Sequence, residues 1–475
     1  MNKLKLLTKE EIHAIHDTSI RILAEIGIQV PSQDAMKALA DAGADVDFAH
    51  ERAKLPENLV MDSLSCAGKQ FILYGRDPSR SIRFGYGDFN LPSTEGQAFI
   101  IEEDGRNRRP GTCRDVQQAI IIGDALENVD WMGGFVLPDE IPASVRDVYL
   151  AGELIKGSTK PQHVLFNNVH SFRYIREICE ATAGGKEKHR QHPLLSAFIE
   201  PISPLRFAKD GLEILKECVM GGLPVYFGPM VQSGATGPVT LAGTAALENA
   251  EILSAIVIAQ AFQRGIPVGY GCSCHTMDLM TMMISFGAAE QSLFAIAMTQ
   301  LAQFYGLPSL FNAGLSDSKR HDAQSGMERG MSMLTGALAG LETFAPIGIV
   351  GADQGASMTQ LIIDNEMAGY VKRLLRGFKV DRETLAFDVI QRVGIGGNFL
   401  TDDHTLEHYL NELWMPRGFD RQNWDRWISS GRRSMYEWAL ERKEQILSSH
   451  QPEAVDTALA VEIDKIVNAA RKELS

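Results

Sequence analysis

Cysteine is scarce. Six cysteines in 475 residues make no disulfide framework. Also missing is any run of about 18 consecutive apolar residues, so no transmembrane helix is expected. The opening stretch, MNKLKLLTKEEIHAIHD, turns acidic before an apolar core forms, which argues against a secretory signal. A cytoplasmic location is the expectation. Basic residues are outnumbered, 46 Lys and Arg against 60 Asp and Glu, for a net charge of -14. That balance argues against nucleic acid and anionic membrane as partners. A dinucleotide fingerprint is absent too: GYGCSC at 269–274 is not GxGxxG, and the glycines at 394–397 stand alone. No second CxxC or HxxxH pair accompanies Cys272, Cys274 and His275, and a structural zinc site wants two pairs.

What is present reads as an ordinary globular enzyme, 45% hydrophobic and 22% charged. Thr8 followed by Glu11 is a helix-start signature. Apolar residues then recur at helical spacing to Ile26. A second helix is expected over 32–42. Between 70 and 103 the pattern alternates apolar and polar residues around Asp-Pro and Asp-Gly turns, the signature of hairpins. Residues 1–110 read as an α+β extension.

From Thr112 a repeat settles in. Strands are expected near 129, 163, 194, 224, 267, 308 and 344, with 394–400 (GIGGNFL) as a candidate eighth. Helices at 114–126, 208–222, 247–265, 289–306, 328–342 and 358–377 fill the intervals. This rhythm fits a TIM (β/α)8 barrel over 111–405 better than an open doubly wound sheet. Residues 406–475 read as a C-terminal helical segment whose aromatics suit a subunit interface, so a homo-oligomer is expected.

In such a barrel, function sits just past the strands. The polar residues there are Asp139, Asn167, Asn168, Glu200, Gln232, His275, Asp317, Asp353, Gln354 and His404. Each has a bland alternative as a loop tie or helix cap, and Asp317 is a good N-cap candidate. Cys272, Cys274 and His275 admit a catalytic metal site, a cysteine nucleophile with a histidine base, or soft pocket lining. Aromatics crowd the same ends, among them Trp131, Phe198, Tyr270 and Phe311. Most should be core. A few of them facing a barrel mouth with Glu200, Asp317 and Asp353 would form a cage for a quaternary ammonium cation.

Five phrases carry a family likeness: STEGQAF (93–99), EPISPLRF (200–207), GPVTLAGTAALENAEIL (237–253), SDSKRHDAQSGMERG (316–330) and GIGGNFLTDDHTLEHY (394–409). They resemble the trimethylamine:corrinoid methyltransferase family, and the likeness runs past residue 415. The resemblance implies a TIM barrel that moves a methyl group from an N-methylated amine to a corrinoid on a separate protein. The archaeal trimethylamine enzymes carry pyrrolysine in the barrel, whereas this chain has only standard residues. That places it with the branch acting on quaternary amines: glycine betaine first, with proline betaine, carnitine and γ-butyrobetaine as alternatives. Asp402-x-His404 is followed by Glu407 where a corrinoid-binding D-x-H-x-x-G motif needs glycine, which fits a corrinoid held by a partner. The expected substrate-binding residues are Glu200, Tyr270, His275, Phe311, Asp317, Asp353 and His404, with no side-chain acid or nucleophile. His275, Lys319 or Arg320 would serve a betaine carboxylate. Rival readings are a metal-dependent barrel enzyme and a non-catalytic betaine binder.

Overall fold

The computed structural model describes residues 3–103 and 105–474, which form a mixed α/β fold of long helices and short strands. Local chemistry sets the helix starts. Thr8 and Glu11 complete the expected capping box ahead of Lys9–Arg21. Ser32 caps Gln33–Asp41, and Ser357 caps Met358–Arg376. The helix Leu241–Phe262 is long and apolar enough to cross a membrane by length and composition. It is instead buried inside the protein along most of its length. The sequence reading missed that test because polar residues such as Glu248, Asn249 and Glu251 interrupt the apolar run.

Eight short segments run side by side in parallel. Ala197–Ile199, Val225–Phe227, Val268–Cys272 and Ser309–Phe311 form a continuous parallel ladder. Leu310 bridges to Thr343, which bridges to Asn90; Ser93 bridges to Ile347, and Pro92 to Trp131. Met132–Gly133 pairs in parallel with Gln162–His163. Between His163 and Phe198 the described residues show no ladder bond, but the two rings meet edge to face at 6.4 Å. One segment of this series, around 90–93, lies inside the stretch expected to be an extension. The candidate strand at 394–400 forms turns instead, its three glycines resisting extended pairing.

Side chains facing inward from these segments are Trp131, Phe198, Tyr226 and Leu310, packed with Phe71, Leu73, Ile82 and Phe84. The latter four belong to the expected hairpin, Phe71–Tyr74 against Ser81–Phe84. Phe71 and Phe84 stack at 4.6 Å and meet Tyr226 edge on. Gly68, just before the hairpin, pairs with Pro267 at the start of Val268–Cys272. The hairpin therefore plugs the interior at the strands' N-terminal ends. Gly269 keeps the space for this plug: a Cβ there would lie 2.0 Å from the Tyr226 ring.

Loops at the opposite, C-terminal ends form two small sheets. One joins Phe99–Ile101, Arg108–Pro110 and the hairpin Ile349–Val350/Gly355–Ala356. The other joins Gln232–Ser233, His275–Asp278 and Met283–Ser285.

Candidate functional site

Above the plug lies a cavity of about 370 Å3. Its floor and walls include Trp131, Phe198, Leu310 and Phe344 from the strands. The loops that follow the strands add Thr94, Glu95 and Gln97 on one side, then Glu200, Met230, Ser273, Phe286 and Asp353. Three carboxylates thus share one small space with four aromatic faces. A wider open cleft of about 1180 Å3 lies beside it, lined by Arg106, Arg108, Met277, Leu279, Met283, Asp317 and Lys319 among others.

The carboxylates differ in their support. Glu95 approaches His163 Nδ1 at 2.6 Å, close enough for an ion pair but too poorly aligned for a directed hydrogen bond, so both groups keep an unsatisfied polar atom. The His163 ring is stacked on Trp131 at 4.3 Å, and Trp131 is fixed by its indole N–H donating to the Gln162 carbonyl at 2.7 Å. Asp353 accepts a 3.0 Å hydrogen bond from Gln97 Nε2; burial holds its carboxyl above the usual range. Glu200 and Asp353 both still reach solvent through the cavity mouth, and the upward shift is larger at Glu200. Desolvation first, then the nearby charges of Glu95 and Asp353, push its carboxyl up to about 7. An empty cavity at neutral pH therefore holds Glu200 partly protonated, and a bound cation would favour its ionised form.

Acidic residues on the surrounding helices pin the loops that build this space. Glu248, fully buried, accepts backbone N–H bonds from Val231, Ser273 and Cys274 at 3.0, 2.8 and 3.1 Å. Glu251 holds Leu205 N and Ser203 Oγ at 2.7 Å each. Asp364 receives Gly348 N at 2.9 Å and pairs with the fully buried Arg329 at 3.1 Å. Glu328 receives Ser316 Oγ and Asp317 N.

Of the expected site residues, the structure brings Glu200 and Asp353 into the cavity. Asp317 sits one step back: it accepts the Phe286 N–H at 2.7 Å and a Ser285 hydroxyl bond, and so aims Phe286, while Asp322 is the residue that caps the helix Ala323–Ala339. His275 lies behind the same ring, edge to face with Phe286 at 5.5 Å. Its Nδ1 is engaged with the Ser273 carbonyl at 2.7 Å, and burial keeps its imidazole below the ordinary histidine range. Tyr270 and Phe311 face away from the cavity. Tyr270 donates to Asn249 Oδ1 at 2.7 Å, and Phe311 packs in the outer core between strands and helices. Their neighbours Gly269, Gly271 and Leu310 hold the inward positions, because alternate residues of a strand face opposite sides. His404 belongs elsewhere, in the helix Asp403–Glu412, its ring tilted against that of His408 at 4.3 Å. Asn168 caps the helix Val169–Ala183.

The metal and nucleophile readings lose their geometry. Among the described residues no group of three or more His, Cys, Asp or Glu is placed to share a metal. Cys272 and Cys274 are fully buried, and desolvation pushes both thiols well above the usual range, which leaves no thiolate for attack. Sequence reasoning missed Glu95, Gln97 and His163 as site residues. Glu95 and Gln97 sat in plain view in STEGQAF, but that phrase was assigned to an extension.

A family model described as trimethylamine methyltransferase (MTTB) matches residues 1–475. The trimethylamine methyltransferase MttB of Desulfitobacterium hafniense (strain DSM 10664 / DCB-2) is 33% identical over 464 residues, covering 98% of this chain and 93% of its own. The glycine betaine methyltransferase of Desulfitobacterium hafniense (strain Y51) is 32% identical over 474 residues, covering 99% and 98%. The crystal structure of the hydroxylamine MtmB complex covers 98% of this chain and 92% of that one at 13% identity, with a TM-score of 0.48. A family match along the whole chain, joined by relatives that are named methyltransferases, makes this protein a methyltransferase of the trimethylamine methyltransferase family.

Proposed function

We propose that this enzyme moves a methyl group from a quaternary ammonium compound to a corrinoid carried by a separate protein. The observation that carries the reading is the cavity in which Glu95, Glu200 and Asp353 face Trp131, Phe198, Phe286 and Phe344. Carboxylates and ring faces both favour an ammonium ion taken out of water. Relatives named for trimethylamine and for glycine betaine support a methylated amine as the donor.

The corrinoid supplies the nucleophile that receives the methyl carbon. As the C–N bond breaks, its electron pair stays on nitrogen, and a quaternary ammonium departs as a neutral tertiary amine. No general acid is needed. What this chain's residues contribute is orientation and an acidic, aromatic setting for the cation. Glycine betaine is the substrate expected from the sequence and is the first to test.

The eight parallel segments fit a (β/α)8 barrel, with the His163–Phe198 contact spanning the unbonded gap. In that reading the first stave is the segment around 90–93, and the barrel begins inside residues 1–110. A homo-oligomer is part of the proposal. The helices Phe387–Val393, Asp403–Glu412 and Trp424–Ser429 bury none of their own residues, and Phe378, Ile395, Leu400, Leu406 and Trp424 are exposed around them. A second copy covering these side chains would remove them from water.

The test mixes the enzyme with a Co(I) corrinoid on its carrier protein and one amine at a time, reading methylated cobalt by absorbance. Methylation by a quaternary amine supports the proposal. Reaction with trimethylamine alone, or with none of the amines, overturns it.

A further inference from the structure

The ionisable side chains lining the cavity are Glu95, Glu200, Asp353 and His163; among the described residues no lysine or arginine lines it. The donors that line it besides His163 are uncharged, the Thr94 and Ser273 hydroxyls and the Gln97 and Asn312 amides. His163 stands against Glu95 at 2.6 Å, and the Gln97 amide is used on Asp353. Lys319, Arg106 and Arg108 line the separate wider cleft. Arg108 is moreover engaged with Gln354 Oε1 at 3.0 Å and lies over the Phe99 ring at 4.3 Å. His275, behind Phe286, is held neutral by burial. None of the cations expected to meet a betaine carboxylate reaches this space.

Glu95 Oε2, both His163 ring nitrogens and the Thr94 hydroxyl line the wall without a hydrogen-bond partner, and the last of these points to what the second end of the ligand offers. Thr94 lines the cavity and is fully buried, yet its hydroxyl has no hydrogen-bond partner. A buried hydroxyl left alone is costly, and an uncharged hydroxyl on a ligand would satisfy it. A carboxylate would meet Thr94 as well, but in a cavity it shares with three acidic side chains. The length of the substrate gives no escape. In glycine betaine the carboxyl carbon is two bonds from nitrogen, so an ammonium in the cavity brings its carboxylate along.

We propose that this site takes a methylated ammonium whose remaining arm is uncharged, an alkyl or hydroxyalkyl chain of the choline type, and discriminates against carboxylate-bearing betaines. The inference rests on the cavity being the amine site, as proposed above. It assigns the specificity to the excess of acidic over basic groups, so the same feature that attracts the ammonium rejects the betaine.

The test is calorimetric binding of tetramethylammonium, choline, glycine betaine and γ-butyrobetaine to the purified enzyme at pH 8, followed by the cobalt methylation assay with each. Choline or tetramethylammonium is expected to bind at least about tenfold more tightly than either betaine, with methylation in the same order. Glu200→Gln should narrow that ratio by removing one repelling charge, and circular dichroism on the variant reports whether it folds. Equal or tighter binding of a betaine overturns the inference. Should glycine betaine methylate the corrinoid as readily as choline, the methyltransferase reading stands while this one falls. If all four fail to bind a folded enzyme, both fall.

Discussion

Gln97 and Asp353, 256 positions apart, are joined by a 3.0 Å hydrogen bond from amide to carboxylate. The bond fastens the loop after one parallel segment to a turn in which Ala352 and Asp353 both adopt left-handed backbone angles, φ 52° and 61°. Non-glycine residues pay for that conformation on the order of 1 kcal/mol, so the turn needs outside support. Asp353→Asn keeps the shape and removes the charge. Ammonium affinity should fall by about tenfold or more, and calorimetry checks it. Gln97→Leu, which leaves the charge but releases the turn, should weaken binding less.

Glu200 makes the site sensitive to pH. Its carboxyl is pushed up to about 7 from an ordinary 4.5. Cation binding should therefore tighten as pH rises from 6 to 8, while Glu200→Gln flattens the profile. Stability runs the other way. The folded protein holds the Glu200 proton more tightly than the unfolded chain does, so this group's contribution to stability is fully present below about 4.5 and is lost as pH rises through about 7. Across that window the wild type should lose stability relative to Glu200→Gln, on the order of 1 kcal/mol because the side chain still reaches solvent. Denaturant melts at pH 5 and pH 8 measure the difference, and parallel curves for the two proteins would refute it.

Phe198 is the aromatic to probe, since it faces inward from a parallel strand and is not fully buried. Replacement by leucine retains apolar bulk and deletes the ring's electrostatic attraction. Affinity for a quaternary ammonium should drop about three- to thirtyfold, with little change for an uncharged isostere of the same shape. A matching loss for both ligands would mean that Phe198 only fills space.

Glu248 offers a stability test away from the ligand. It takes backbone N–H bonds from Val231, Ser273 and Cys274. In Glu248→Ala these three donors lose their partner at a fully buried position, at about 1–3 kcal/mol each. The melting temperature should fall sharply, and the flanking Met230 and Ser273 should lose their place on the cavity wall. Glu248→Gln, which keeps one acceptor oxygen, should recover part of the stability.

The helices were legible because their signals are local. Thr8 with Glu11, and Ser357 ahead of an apolar stripe, need no tertiary knowledge. Seven of the parallel segments were legible in place but not in phase, and the eighth was expected at 394–400 instead of around 90–93. Tyr270 and Phe311 read as site residues since both faces of a buried strand are apolar, and alternation then carries no direction. Glu200 and Asp353 could be placed at the cavity because each follows such a strand. Glu95 was hidden by brevity. The segment before it makes only isolated bridges at Asn90, Pro92 and Ser93 and sits between two hairpins, so nothing in its pattern distinguishes it from them. His404 was placed as the residue past a strand expected at 394–400, and that stretch forms turns instead.

The hairpin packed beneath Trp131 and Tyr226 turns the interior into a cul-de-sac. Whatever enters must leave by the same door. If the corrinoid carrier closes that door to reach the methyl group, traffic becomes a queue: amine in first, carrier on, carrier off, demethylated amine out. A product that lingers would then hold back the next donor, and excess carrier would jam the enzyme before loading, so substrate inhibition by the protein partner is the kinetic mark this architecture should leave.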